Sequence, residues 1–428
     1  MTELIPQEEP VATPLLAPEH GVPELVVDEK GLQEVLDQMK AGSGPIAIDA
    51  ERASGYKYSQ RAYLIQIKRN GGGLHLIDPV AIGQTPLWDE MSKSFAQVEW
   101  IIHASTQDLP CLREVGLQPQ ILFDTELGGR IAGCERVGLG ALTELLLGLS
   151  LAKEHSAVDW SIRPLRHEWL NYAALDVEVL IDLRDKVEEL LESKGKLTWA
   201  MQDFQAILTA PPNPPRVDPW RRTSGMHKVR DRQTLAIIRD LWIARDEYAK
   251  HLDISPGRVF NDEALVEIAT KRPADVTALT KIISRRSRVV NPPTKKWHEI
   301  MIAAIALPDS ELPEVRLKSD ALPPPKIWPE RNPPAHARLT HARAAVLDIA
   351  STNELPAENL ISPELIRRLC WATPPVADDL ESYSSDFLAK MGARPWQTAL
   401  LAPALALALL QTEPVVIPEV IEEEPAAE

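Results

Sequence analysis

Short apolar runs alternate with amphipathic stretches through the first half of the chain, and the second half is amphipathic almost throughout. The runs "ELVV" (24–27) and "IAIDAE" (46–51) read as strands, and "KGLQEVLDQMK" (30–40) between them has apolar residues at helical spacing. "AYLIQI" (62–67) and "GLHLID" (73–78) lie on either side of a glycine turn, Gly71 to Gly73, which predicts a hairpin beside the first acidic strand. "WIIHA" (100–104) adds another strand, and helical patterns follow it. That order predicts an α/β fold with helices packed on a mixed sheet. Further on, "TLAIIRDLWIARDEYAKHL" (234–252) sets Leu235, Ile238, Leu241, Trp242 and Arg245 at steps of three and four, an apolar stripe with a charged flank.

Proline clusters at "APPNPPRVDP" (210–219) and "LPPPKIWPERNPP" (322–334) favour extended linkers over helices. They divide the chain into an α/β domain at 23–205, a linker at 206–225, an all-α domain at 226–308, a second linker at 309–334 and a second all-α domain at 335–411. Residues 1–22 and 412–428 are acidic, proline-rich tails, expected to be disordered. "ALLAPALALALL" (399–410) is too short for a membrane span and reads as the last packed helix, so no membrane association is expected.

Charge changes the picture only once it is located. The chain of 428 residues has a formal charge of −16, which argues against a nucleic-acid binder. Eleven of its glutamates sit in the first 24 and last 18 residues, where Lys and Arg are absent, and the rest of the chain carries about −5. Basic clusters remain at 221–232, 284–288 and 295–296, and these become a binding patch only if folding brings them together. Three widely spaced cysteines, Cys111, Cys134 and Cys370, fit neither a disulfide framework nor a zinc knuckle and point to a reducing cytoplasm.

The chemistry lies in the acids. On a strand Asp49 and Glu51 share one face, and two anions side by side near a sheet interior need a compensating cation; oxygen donors suit magnesium or manganese. Asp108 follows a strand end near the start of a helix, where it serves either a site or the helix dipole. Tyr172 and Asp176 stand one helical turn apart on a shared face. Four carboxylates and a tyrosine can hold two divalent ions that activate water and stabilise the leaving oxygen of a phosphoryl displacement.

The set "IDAE", "HASTQDL" and "YAALD" resembles the three motifs of the DEDD 3′–5′ exonucleases, in the subgroup whose third motif has Tyr. "VDWSIRPLRHEWLNYAALDVEVL" is similar to the ribonuclease D family in particular, and "LWIARDEYAKHLDISPGRVFNDEALVEIATKRP" resembles an HRDC domain, a helical nucleic-acid-binding module. The last block is less similar and reads as a second, divergent copy. The resemblance implies a ribonuclease H-like α/β exonuclease domain followed by two all-α HRDC-type domains. It implies Asp49, Glu51, Asp108 and Asp176 as ligands of two Mg2+ or Mn2+ ions, Glu51 as a contact to the terminal ribose, and Tyr172 as the residue orienting the nucleophilic water. The implied reaction is 3′–5′ hydrolysis of RNA to 5′-mononucleotides, with precursors of tRNA and other stable RNAs as substrates. A DNA exonuclease and a non-catalytic scaffold are the rival readings, and the intact acidic set argues against the second. One departure is Ala104, where many relatives have Asn; it removes a polar substrate contact and leaves the ligand set whole.

For the substrate, Trp160 can stack on a base and Arg163 can contact a phosphate, or both can pack against the following helix. His103 and His155 read as structural. The acidic tails are candidates for nucleic-acid mimics that compete for the basic patch.

Overall fold

The computed structural model describes residues 12–152, 158–212, 214–289, 291–315, 322–375 and 379–415. His155 and most of both acidic tails lie outside them. Among the described residues eight strands form, β1 (Thr13–Leu15), β2 (Leu25–Val26), β3 (Ser43–Arg52), β4 (Ala62–Asn70), β5 (Gly73–Ile77), β6 (Glu99–Ile102), β7 (Ile121–Asp124) and β8 (Leu149–Leu151). Six make one mixed sheet in the order β2-β5-β4-β3-β6-β7, antiparallel where β3, β4 and β5 meet and parallel elsewhere. The β4–β5 turn depends on glycine, because Gly71 and Gly73 take φ of 72° and 81°, which side chains with a Cβ resist. β3 thus lies inside the sheet, with β4 on one side and β6 on the other.

Alternation sorts the strands' side chains between two layers. Ile65, Ile67 and Ile77 join the large core that includes helices Glu29–Ala41 and Pro86–Ser94. Leu64 and Leu76 face the other way, onto helix His167–Glu178, where they meet Trp160, Trp169, Ala173 and Ala174.

Several expected boundaries shift. The tail anticipated at 1–22 contributes β1, which pairs in parallel with β8, because its backbone can complete an otherwise single strand. The linker anticipated at 206–225 loses its start to helix Leu197–Thr209 and its end to the turn Pro219–Arg222, whose Trp220 is buried in the middle block. That block, helices Arg232–Leu252 to Thr294–Ile305, has a core of its own. The second linker likewise gives up Trp328, fully buried, and Pro333, which opens helix Pro333–Thr352. The second acidic tail keeps structure at its start: the Glu413 carbonyl oxygen bonds the His341 ring at 3.0 Å, and Val415 N–H donates to Thr340.

The last block does not form a separate core. Trp328, Leu339, Leu369, Trp396 and Leu405 belong to the same apolar cluster as the sheet. Lys196, 5% exposed, donates to the carbonyl oxygens of Ile131, Asn353 and Glu354 across that junction. Gly133 shows how tight it is, since a Cβ there would stand 2.5 Å from the Glu354 carbonyl oxygen. Helix Pro395–Leu409 forms as expected, and no described helix is long and apolar enough to cross a membrane.

Candidate active site

Asp49 and Glu51 alternate on β3 and point toward the helix His167–Glu178 that crosses that face of the sheet. Carboxylate oxygens of Asp49, Glu51 and Asp176 all come within 4.8 Å of one another. Among the described residues, no Lys or Arg pairs with any of the three. Asp108 lies beyond that group but in the same cleft, of about 520 Å³, at the N-cap of helix Leu109–Val115. Its side chain caps no N–H and faces Arg52, 3.6 Å away. The Tyr172 hydroxyl lies beside Asp176, near enough for the two groups to shift each other's protonation, as their one-turn separation allows.

Gathering so many anions has a cost that shows in their protonation. Burial and the charges of Asp49, Asp176 and Asp108 push Glu51 well above the usual carboxylate range. Burial, then the Asp49 charge, lifts Asp176 well above it too and raises Asp108 to about 8. Burial also raises Asp49. The Tyr172 phenol is raised by burial and by the neighbouring acids, so it keeps its proton at neutral pH and remains a donor. The Arg52 charge offsets only part of this, and an all-oxygen cluster of this kind fits hard divalent cations, whose charge would reverse the repulsion.

The loop carrying Asp108 is held by Asp124, a buried residue that sequence reasoning missed. Its carboxylate accepts from the backbone of Ala104 and Ser105 at 3.2 and 2.8 Å and from the Ser105 hydroxyl at 2.6 Å. It also caps the following helix through the N–H groups of Glu126 and Leu127. Ala104 takes φ of 56°, a left-handed conformation that asparagine adopts more readily than alanine. His103, read from the sequence as structural, bonds Thr125 at 2.9 Å and also lines the cleft. Arg52, Gln107, Arg136 and the β8 residues Ser150 and Leu151 also line the cleft. Arg52 and Gln107 adjoin two of the acids in sequence, a signal that was available; Arg136 had none.

Family models match three stretches: one described as a 3′–5′ exonuclease at 23–192, the HRDC domain at 234–300, and the 3′ to 5′ exonuclease C-terminal domain at 321–409. A protein of solved structure from Bifidobacterium adolescentis is 37% identical, with a TM-score of 0.83, over 93% of this chain and 99% of that one. The ribonuclease D of Acidiphilium cryptum is 29% identical over 294 residues, 67% of this chain and 71% of that protein. The chain belongs to the ribonuclease D family. The fold of Escherichia coli RNase D agrees, at 24% identity and a TM-score of 0.62 over 90% of this chain and 98% of that one. With the ribonuclease D family comes its reaction: the protein is a 3′–5′ exoribonuclease that uses divalent metal.

Two residues expected to touch substrate do not reach the cleft. Trp160 has no exposed surface and lies edge-on to Trp169, 5.7 Å between ring centres, so no base can stack on it. Arg163 uses all five of its N–H donors inside the fold, on both Asp78 oxygens and on the carbonyl oxygens of Trp160, Ile162 and Tyr63. A guanidinium so engaged has nothing left for a phosphate.

Proposed function

We propose that Asp49, Glu51, Asp108 and Asp176 hold two Mg2+ or Mn2+ ions and that Tyr172 orients the attacking water, for removal of nucleotides from the 3′ ends of structured RNAs such as tRNA precursors in the cytoplasm. The observation that carries this reading is the set of three mutually close carboxylate oxygens, none of them in an ion pair among the described residues. Bound divalent ions would supply the charge that activates water and stabilises the leaving oxygen. Tyr172, protonated and one turn before Asp176 at the edge of the cluster, presents its hydroxyl to the water. The water oxygen bonds to phosphorus and the P–O3′ bond breaks, releasing a 5′-mononucleotide and a shortened chain with a new 3′-hydroxyl. Arg52 and Arg136 give the cleft cationic groups for the RNA backbone, and Arg136 has no ion-pair partner among the described residues. The middle helical block, which the HRDC family model matches, adds affinity for RNA.

Digestion of 3′- and 5′-labelled RNA and DNA oligonucleotides, with magnesium, with manganese and with chelator, tests this beside Asp49→Ala. Metal-dependent shortening of RNA from the 3′ end, lost in the variant, is expected. A fully active Asp49→Ala protein refutes the ligand assignment, and equal turnover of DNA refutes the RNA preference.

A further inference from the structure

Gln66 sits in the middle of β4 with no exposed surface, and neither end of its side-chain amide has a hydrogen-bond partner among the described residues. Burying an amide without a partner costs roughly 1–3 kcal/mol, so such a group in the centre of a sheet calls for an explanation. The strand register supplies a location. Gln66 stands directly opposite Asp49 on β3 and Leu76 on β5. Opposed residues of an antiparallel pair share a face, with Cβ atoms about 4.5–5.5 Å apart.

Alternation puts Leu64, Gln66 and Lys68 on that face of β4. Leu64 and Leu76 pack against Ala173 and Ala174 of the Tyr172 helix, and Lys68 Nζ donates to the Glu178 carbonyl oxygen at the end of that helix, at 2.7 Å. Gln66 is therefore enclosed between the helix that carries Asp176 and the strand that carries Asp49 and Glu51. Leucine fills the neighbouring positions Leu64 and Leu76 on this face, so packing alone does not explain an amide there.

We propose that Gln66 is a positioning residue for the acidic cluster: its amide N–H reaches the Asp49 carboxylate across one buried water and holds that carboxylate turned into the cleft. Gln66 has no exposed surface and does not line the cleft, so its amide lies on the closed side of Asp49 and leaves the cleft-facing oxygen free for a cation. This inference rests on the metal-site reading above. Losing an outer hydrogen bond of this kind weakens metal binding about 10- to 100-fold.

The test is Mn2+ binding to the full chain, followed by electron paramagnetic resonance, for wild type, Gln66→Met and Asp49→Ala. Methionine keeps the length of glutamine and removes the donor. Gln66→Met should fold, with a cooperative melt as the control, and bind Mn2+ at least about 10-fold more weakly. Added Mn2+ should restore turnover. If methionine disturbs the fold, Gln66→Leu, the residue type already beside it on that face, is read in the same way. Wild-type Mn2+ affinity in these Gln66 variants, with binding lost in Asp49→Ala, overturns the role of Gln66 and leaves the metal site standing. Unchanged binding in Asp49→Ala overturns the metal-site reading and this inference with it.

Discussion

Arg163 and Tyr172 show how differently two polar residues of one short stretch can be used. Arg163 neutralises Asp78, which is 1% exposed, so Arg163→Ala leaves a buried carboxylate short of its cation. Loss of about 3 kcal/mol is expected, given that breaking a buried pair strands a charge. Denaturant unfolding should show this, with the KM for RNA of the folded enzyme unchanged; a residue that gripped phosphate would instead raise KM. Tyr172→Phe should do the reverse. It keeps the ring and removes the hydroxyl, so stability holds while kcat falls on the order of 100-fold at unchanged Mn2+ affinity. The tyrosine was legible because a four-residue step on a helix fixes its neighbour, Asp176, from spacing alone. Trp160 and Arg163 were not, since a base, a phosphate and a protein interior offer similar partners to a Trp and an Arg, and only the distant Asp78 and Tyr63 decide between them.

Between elements, the loop that leaves the catalytic strand β3 is held by the middle helical block. Asp253, at the C-terminal end of helix Arg232–Leu252, accepts from Ser59 N–H at 2.9 Å and lies 4.0 and 3.8 Å from Lys57 and Arg61. Tyr58 donates to Asp246 at 2.9 Å, Ser255 N–H donates to the Tyr56 carbonyl oxygen, and the Arg258 guanidinium covers the Tyr56 ring at 4.3 Å. This loop begins right after Glu51 and Arg52, so the helical block is mechanically tied to the cleft. Asp253→Ala should speed hydrogen exchange in residues 53–61 and lower kcat severalfold without changing Mn2+ affinity; unchanged exchange there would mean the other contacts suffice. None of this was visible in the sequence. The strands and the main helices were legible from periodicity, which is local, whereas the docking of residues 53–61 on Asp253 and the pairing of β1 with β8 join positions more than a hundred residues apart. The same holds for Asp124, whose partners at 104–105 lie 19 and 20 residues back along the chain.

At the scale of the molecule, two proline-rich runs suggested three bodies, yet the sheet and the last block share one apolar core. The middle block has a core of its own, and a smaller cluster fills the space between the sheet and helix His167–Glu178, so the chain leaves the shared core after residue 209 and returns to it at 322. The return is sealed by aromatic stacking and by buried polar groups. Trp396 lies parallel to Trp199, 4.9 Å between ring centres, its indole N–H donates to Asp203 at 2.7 Å, and Arg394 pairs with the other Asp203 oxygen at 2.8 Å. Composition cannot reveal this, because an amphipathic helix shows the same pattern whether it covers its own small core or a neighbour's. The consequence is a difference in how parts of the chain tolerate removal. A chain ending at residue 315 would uncover the surface around Trp199 and Phe204 and leave Lys196 without two of its three carbonyl acceptors, and it should melt well below wild type or aggregate. Trp396→Ala in the full chain should cost about 3–5 kcal/mol, the range for emptying a buried Trp site. The fragment 214–315, which keeps its own core, should melt cooperatively by itself. Wild-type melting and turnover in the chain ending at 315 would show that the last block is independent of the exonuclease core after all.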